Sequence, residues 1–278
     1  MHAPHEVHAT VAHATPNVST GCGEQLVLAD SFRVRINEAT GFAEVRGLHH
    51  HVTRFTRGAL EIDASAALSI GDFIASTYRE ISVFGEGFPR WEFWRTALGK
   101  FEPRLSLRPL PDLGGSLTLK SVAAVSPPNA SRKGPNIANF AALNQTLGAE
   151  ALLTDANGVV REGATTSLVW WRDGRPYCSA TIDRIDSVTE TLLGETLLRE
   201  SENGWRTGHS AAPLQPANIR TTELAQHEVW AVNALHGIRV VTAIDGLATL
   251  PPDTLRLAHF KAALDKTWVP FTTAEAPL

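Results

Sequence analysis

Apolar positions along this 278-residue chain change their spacing several times, and each change predicts an element. From Gln25, LVLADSFRVRINEATGFAEVRG carries short β-branched runs separated by Asn37, Thr40 and Gly41, the composition of a hairpin. LHHHVTRFTRGALEI then places Leu48, Val52, Phe55 and Leu60 near one face at helical spacing. SIGDFIASTYREISVFG continues as a second helix, opened by Ser69 or Asp72. PRWEFWRTALG, RLSLRPLP and SLTLKSVAAV return to strand character, with breaks at Gly99, Pro109 and Gly114-Gly115.

The pattern is interrupted at SVAAVSPPNASR, where two prolines and small polar residues cannot continue a strand; this marks residues 121–132 as a connection between domains. A helical pattern follows, then ALLTD-ANG-VVREG, two apolar strand runs joined by an Asn-Gly turn, and VWWRDGRPYCS, a second strand pair with an Asp-Gly turn. Trp170 and Trp171 read as packing residues, because too few basic residues flank them for stacking on nucleic-acid bases. IDSVTETLLGETLLRESENG predicts a helix on Leu192, Leu193 and Leu197, with Ser187 as N-cap and Glu190 completing a capping box. Thr221 caps a short helix, HEVWAVN is a strand, and Asn233-Ala234-Leu235 turns into IRVVTAI. LPPDTLRLAHFKAALDKTWVP ends the chain as a packing helix and a tail. The resulting plan is a mobile tail over 1–24, a small α/β domain over 25–120, the connection over 121–132 and a larger domain over 133–278.

Composition excludes several classes. With 43% hydrophobic and 19% charged residues the chain can bury one large core or two modest ones. Lys and Arg number 25 against 29 Asp and Glu, a net charge of −4 without a long like-charge block, so neither nucleic acid nor an anionic membrane is an expected partner. No apolar run is long enough to span a bilayer. Cys22 and Cys178, far apart, fit a reducing cytoplasm. The first residues lack a basic segment followed by an apolar core, so they do not read as a secretion signal. His2, His5, His8 and His13 lack the HExxH spacing that sets two imidazoles on one helical face, and no metal is expected there.

Candidate chemistry centres on Lys133 and Glu162, which bracket the helix-plus-hairpin unit and could be folded back towards one pocket. Pyridoxal phosphate is held as an imine on a lysine amine, and its capacity as an electron sink depends on a protonated pyridine nitrogen, which a neighbouring carboxylate favours. Spacing alone does not select this pair, since most Lys and Glu side chains are solvated surface groups.

The KGPN lysine, the EALLTDANGVVREGATTS block, IDSVTE and HEVWAVNALHGIRVV stand in one order over the second half of the chain. In these motifs the chain resembles fold-type IV pyridoxal-phosphate enzymes, the class-IV aminotransferase family that includes branched-chain and D-amino-acid aminotransferases and aminodeoxychorismate lyase. The likeness covers about Leu26 to Gly246 and is strongest after Lys133. It implies a D-amino-acid-aminotransferase-like α+β fold, with a small N-terminal α/β domain and a larger C-terminal pseudo-barrel domain. It also implies a pocket between the two, and a homodimer in which a neighbouring subunit's loop completes that pocket.

By the same resemblance Lys133 is the catalytic, imine-forming residue and Glu162 serves the ring nitrogen. Arg54, which follows His51 in the family's H-x-x-R pattern, would bind the phosphate with Val188, Thr189, Asn233 and Ala234; a guanidinium suits that task through bidentate hydrogen bonds. Three consecutive histidines on a helix point in different directions and cannot all ligate one metal, so His49 and His50 read as surface or substrate-entrance residues. Arg95, in FWRT, stands where several relatives carry an arginine for the substrate carboxylate, and Arg108 is a second cationic candidate.

Two departures bear on the reaction. Lyases of the family keep a threonine in the first hairpin that assists proton movement; here the nearest segment is SFRVRI, with Arg33 or Val34 at that position. Aminotransferases usually show Gly-Thr in the cofactor turn, whereas this chain has Asn233-Ala234, so the phosphate would rely on the Ala234 N–H, Arg54 and the helix start. The NAL wording resembles the lyases. The expectation is a pyridoxal-phosphate-dependent enzyme acting on a small-molecule amino substrate, with 4-amino-4-deoxychorismate lyase-like chemistry, giving 4-aminobenzoate and pyruvate, as the leading reading. A branched-chain or D-amino-acid-type aminotransferase is the alternative, and a non-catalytic cofactor- or metal-binding protein the second.

Overall fold

The computed structural model describes residues 23–123, 129–202 and 212–271. Cys22, the four N-terminal histidines and residues 124–128 of the expected connection lie outside the described residues.

Strand β1 (Gln25–Ser31) is followed by the expected hairpin, β2 (Val34–Ile36) and β3 (Ala43–Arg46). Its turn is set by Asn37, whose Oδ1 accepts the N–H groups of Ala39 and Thr40, and by Gly41 at a φ of 71°. Helix α1 (Leu48–Ile62) buries Leu48, His51, Val52, Phe55, Gly58 and Ala59; Ala59 takes the inward position expected of Leu60. Helix α2 (Ala67–Phe84) begins before Ser69 and Asp72, and neither caps it. A 3₁₀ turn at Ala64–Ala66 leads into the helix, and Asp63 caps that turn by accepting the Ser65 N–H at 2.9 Å.

Strands β4 (Arg90–Arg95) and β5 (Phe101–Ser106) pair with each other and β4 with β1, giving a three-stranded sheet in the order β1-β4-β5. Phe32, Phe55, Ile70, Ile81 and Trp91 form the centre of this smaller unit. The rings of Phe32 and Trp91 meet edge-on with centroids 4.6 Å apart, and the Trp91 Nε1–H donates to Thr77 Oγ1 at 3.0 Å.

The second unit begins with β6 (Ser116–Ala123), which is already part of the large sheet, parallel to its neighbours on both sides. Then come α3 (Ile137–Leu147), β7 (Glu150–Thr154), β8 (Val160–Gly163), β9 (Ser167–Arg172) and β10 (Arg175–Ser179). They are followed by α4 (Val188–Glu202), β11 (Gln215–Ala217), α5 (Thr221–Leu224), β12 (Glu228–Asn233), β13 (Gly237–Ile244) and β14 (Leu247–Ala248). Thr221 is the first residue of α5, and its cap position belongs to Arg220. Helix α6 (Thr254–Asp265) precedes β15 (Trp268–Pro270). The stretch expected as a tail is thus a strand that returns to the smaller unit and pairs with β3.

Both expected tight turns form. Asp173 and Gly174 adopt φ values of 53° and 73° between β9 and β10, and between β7 and β8 the Asp155 carboxylate accepts the N–H groups of Asn157 and Val159, each at 2.8 Å. The sheet runs β11-β10-β9-β12-β13-β6-β7-β8, with β14 beside β13. Its two ends approach each other: the Val160 N–H donates to the Ile219 carbonyl at 2.8 Å, and Val159 bridges Arg220. The sheet therefore curls into a half-barrel.

Side-chain alternation builds two cores on this sheet. Leu168, Trp170, Val229 and Ala231 fill the curl, while Val169, Trp171, Trp230 and Val232 pack outward against α4 and α6. Burial on both faces is why these strands read as nearly continuous apolar runs.

Lys133-Gly134 is docked directly on β1. The Ala29 N–H donates to the Lys133 carbonyl at 2.8 Å, and a Cβ on Gly134, whose φ is 136°, would lie 2.6 Å from the Ala29 nitrogen. Gly134→Ala should therefore push the two units apart at Lys133 and lower unfolding stability by about 1–3 kcal/mol, measured by urea denaturation followed through tryptophan fluorescence.

Candidate active site

A cavity of about 780 Å³ opens where the two units meet. Ser31, Arg54, Arg90 and Arg108 line it from the smaller unit, and Lys133, Glu162, Val188, Asn233, Ala234 and Arg239 from the larger. Lys133 and Glu162, 29 positions apart in the chain, thus share one enclosure.

Both groups are held away from their ordinary protonation behaviour. Burial pushes the Lys133 ammonium down to about 7; the nearby Arg54 guanidinium adds to the fall and Asp30 opposes it. On β8, burial pushes the Glu162 carboxyl up to about 8, against the Ile185 N–H, which donates to Oε2 at 3.3 Å, and the positive charges of Arg184 and Arg161. Near neutral pH the cavity therefore offers an amine that is free in a substantial fraction of molecules and a largely protonated acid.

Helix α1 supplies Arg54, and a carboxylate missing from the sequence reading fixes it. Asp30, buried on β1, accepts from Arg54 Nε and Nη2, both at 2.7 Å, and lies 2.7 Å from His51 Nδ1. Burial alone would raise the Asp30 carboxyl, but Arg54 and His51 outweigh it and hold the group well below the usual carboxylate range. Burial likewise pushes His51 down to about 4 despite Asp30, so a neutral imidazole donates its Nδ1–H and Arg54 alone carries the balancing charge. Arg54 Nη1 donates to the Asp186 carbonyl at 2.6 Å, tying α1 to the segment before α4. Three of the five guanidinium N–H groups are engaged, and two are left for a ligand.

At the start of α4, Ser187 Oγ accepts the Glu190 N–H at 3.3 Å, half of the expected capping box. The reciprocal half does not form, because the Glu190 carboxylate pairs with Arg184 at 2.6 and 2.8 Å. The N–H groups of Val188 and Thr189 belong to the first turn, where no intrahelical acceptor exists. Val188 lines the cavity; the Thr189 side chain is buried behind it and does not. On the opposite side, the turn between β12 and β13 is braced by Asn233, which donates from Nδ2 to the Thr165 carbonyl at 3.3 Å and accepts the His236 N–H at 2.9 Å.

Arg95 is not among the lining residues and lies exposed at the far end of β4. Positions 90 and 95 differ by an odd number, so on a period-two strand they face opposite sides, and the cavity-facing arginine of β4 is Arg90. Arg108 does line the cavity. Its Nη2 donates to Ser31 Oγ at 3.0 Å, its Nε is buried without a hydrogen-bond partner, and its guanidinium lies 4.9 Å from the Phe88 ring centroid. Burial, reinforced by Arg90, pushes it down to about 10.

Sequence reasoning missed Asp30, Arg90, Glu150 and Arg239. Glu150 is a buried hub: Oε1 accepts from the Thr165 N–H and both Thr165 and Thr166 hydroxyls, and Oε2 accepts from Arg239 at 3.0 Å. The available signal was a charged residue inside an otherwise apolar strand, as in LVLADS and GIRVV. The assembled site suits a ligand with an anionic group at Arg54 and the α4 start, a carbonyl for the Lys133 amine and a basic ring nitrogen facing Glu162.

No family model matches the sequence, and no curated protein does. Solved structures do match. A branched-chain amino acid aminotransferase from T.th., complexed with N-(5'-phosphopyridoxyl)-L-glutamate, superposes with a TM-score of 0.67 at 19% identity, covering 88% of this chain and 89% of that one. A branched-chain aminotransferase from the archaeon Thermoproteus uzoniensis, with norvaline, gives 0.67 at 18% identity over 88% and 90%. A fold IV transaminase from Curtobacterium pusillum gives 0.62 at 17% over 86% and 85%. The chain has the fold-type IV aminotransferase fold. The small unit, the curled sheet and the cavity between them are this fold's parts in the present chain.

Two outcomes test the electrostatics within the fold IV cavity. Asp30→Asn leaves Arg54 buried without its counter-charge and should cost about 3–5 kcal/mol, read by chemical denaturation at pH 7. Because the folded Asp30 carboxyl is depressed, its contribution is complete above the unfolded value near 3.8 and is lost as the pH falls below it, so the mutant and parent should converge in acid. For Lys133, whose free amine is the reactive form, the rate of labelling by an aldehyde should climb with pH through about 7 and then level, as followed by borohydride trapping and peptide mass.

Proposed function

We propose that this protein is a pyridoxal-phosphate-dependent, class-IV aminotransferase acting on a small amino substrate. The observation that carries the reading is the buried Lys133 amine, sharing one cavity with the Glu162 carboxyl, Arg54 and the first turn of α4. The fold shared with solved aminotransferases supports it.

The residues fit the cofactor. Glu162 is a buried acid held up near 8, and a cationic ring nitrogen would give its carboxylate a charged partner at close range. The two N–H groups Arg54 has to spare, the first-turn N–H groups of Val188 and Thr189, and the Ala234 N–H in the turn braced by Asn233 would hold the phosphate. When bound, the cofactor supplies an electron sink for the carbon that bears the substrate amino group. Lys133 would hold it until the substrate amine displaces Nζ, and the freed amine would then accept the proton from that carbon and return it, as a group with a value near 7 is suited to do in both directions. Glu162 would keep the ring nitrogen charged. Arg108, with its unpartnered Nε and with Arg90 beside it, would receive the substrate carboxylate in place of Arg95. A cytoplasmic homodimer is part of the reading and rests on the family resemblance and the two-cysteine composition.

Amino transfer is favoured over the lyase reaction. The solved structures compared above are aminotransferases, and at the hairpin position of the lyase threonine the chain has Val34, buried in the core, or Arg33, which does not line the cavity.

Purified protein given pyridoxal phosphate should develop a cofactor absorbance that borohydride fixes to Lys133. Amino acids paired with 2-oxo acids should exchange amino groups, with Lys133→Ala about 10²–10⁴-fold slower. Bound cofactor with release of pyruvate and 4-aminobenzoate from aminodeoxychorismate, but no amino exchange, would return the assignment to the lyase. Failure to take up cofactor would leave the non-catalytic reading. Glu162→Gln should keep the cofactor yet lower turnover by at least about tenfold, the cost of one lost unit of ring-nitrogen basicity.

A further inference from the structure

His51 is turned inward to Asp30, but its two predecessors converge on the other side of α1. The His49 and His50 rings stand with centroids 3.8 Å apart, and His50 Nε2 lies 2.9 Å from Glu195 Oε1 on α4. His50 Nε2 is buried, with that carboxylate oxygen in close polar contact. One ligand atom from each of the three residues falls within 4.8 Å of the other two.

We infer that His49, His50 and Glu195 form a binding site for a zinc-type divalent cation that clamps α1 to α4. Two imidazole nitrogens and one carboxylate oxygen are a borderline donor set, suited to zinc or its first-row neighbours and ill suited to magnesium or calcium, which take oxygen. Ligand atoms around one tetrahedral zinc stand about 3.3 Å apart, given metal–ligand bonds of about 2.0–2.2 Å. The His50–Glu195 pair is near that spacing, and His49, exposed at the surface, can swing to complete it. Solvent would fill the fourth position.

The backbone explains why the groups meet. Gly47, just before α1, has a φ of 60°, and a Cβ there would come within 2.8 Å of the Leu192 side chain, so α1 begins pressed against α4. Glu195 is three residues beyond Leu192, on the same helical face. The site lies outside the cavity lining, one turn before Arg54 on α1 and two turns after Val188 on α4. A cation there would fix the spacing of the two helices that border the cavity, and the inference stands whether or not the aminotransferase reading does.

The N-terminal histidines could bind metal by themselves, so the test uses the full chain with His2, His5, His8 and His13 replaced by Gln. Equilibrium dialysis against zinc with metal analysis should find one ion per chain, and zinc should raise the thermal midpoint. In that background His50→Gln and Glu195→Gln should each weaken binding at least tenfold and remove the midpoint rise. The exposed His49→Gln serves as the milder variant should His50→Gln not fold. Cobalt should give a visible d–d band that these substitutions abolish. No zinc bound once the terminal histidines are gone, or uptake unchanged by Glu195→Gln, would overturn the inference.

Discussion

The arrangement depends on keeping one lysine amine out of water. Lys133 sits where two separately cored units meet, with its own carbonyl accepting a hydrogen bond from β1 and the next residue too close to β1 for any side chain. An ammonium in that position has lost its hydration and faces Arg54, so the neutral amine is already well populated near pH 7. The same enclosure acts in the opposite sense on Glu162, which tends to hold its proton. An amine that gives up its proton readily and an acid that keeps one are both consequences of burial, applied to groups of opposite sign.

Arg54 could not border that enclosure without compensation. Asp30 supplies it as a fully buried carboxylate that accepts two hydrogen bonds from Arg54, and His51 contributes a third contact without adding charge. The charge balance is therefore settled between β1 and α1 inside the smaller unit. Glu150 plays a comparable part on the other side, where it binds the Thr165–Thr166 turn and Arg239 together below the Asn233–Ala234 turn. Buried ionic groups of this kind fix geometry because breaking either pair strands a charge.

Helices α1 and α4 connect these networks. Arg54 reaches the Asp186 carbonyl, Arg57 pairs with the Asp186 carboxylate, and Gly47 lets α1 start hard against Leu192. The first turn of α4 is thereby presented to the cavity at a fixed distance from Arg54. The half-formed capping box is part of the same arrangement: Glu190 is drawn to Arg184, so its carboxylate does not reach back to the Ser187 N–H.

The sequence by itself determined the local structure and the ends of the chemistry. Turn residues fixed the hairpins at Asn37–Gly41, Asn157-Gly158 and Asp173-Gly174, apolar spacing fixed α1, and motif order named Lys133, Glu162, Arg54 and the Asn233–Ala234 turn, all of which line one cavity. Such features are legible because they act over a few neighbouring residues. Tertiary structure alone decided that β6 joins the large sheet, that the chain's last strand returns to β3, and that Arg90 rather than Arg95 faces inward. It also decided the partners of Arg54 and Glu150, and the meeting of His49 and His50 with a carboxylate some 145 residues away. Strand order, facing and charge pairing arise from contacts between distant segments, whose free energy exists only once both are buried together.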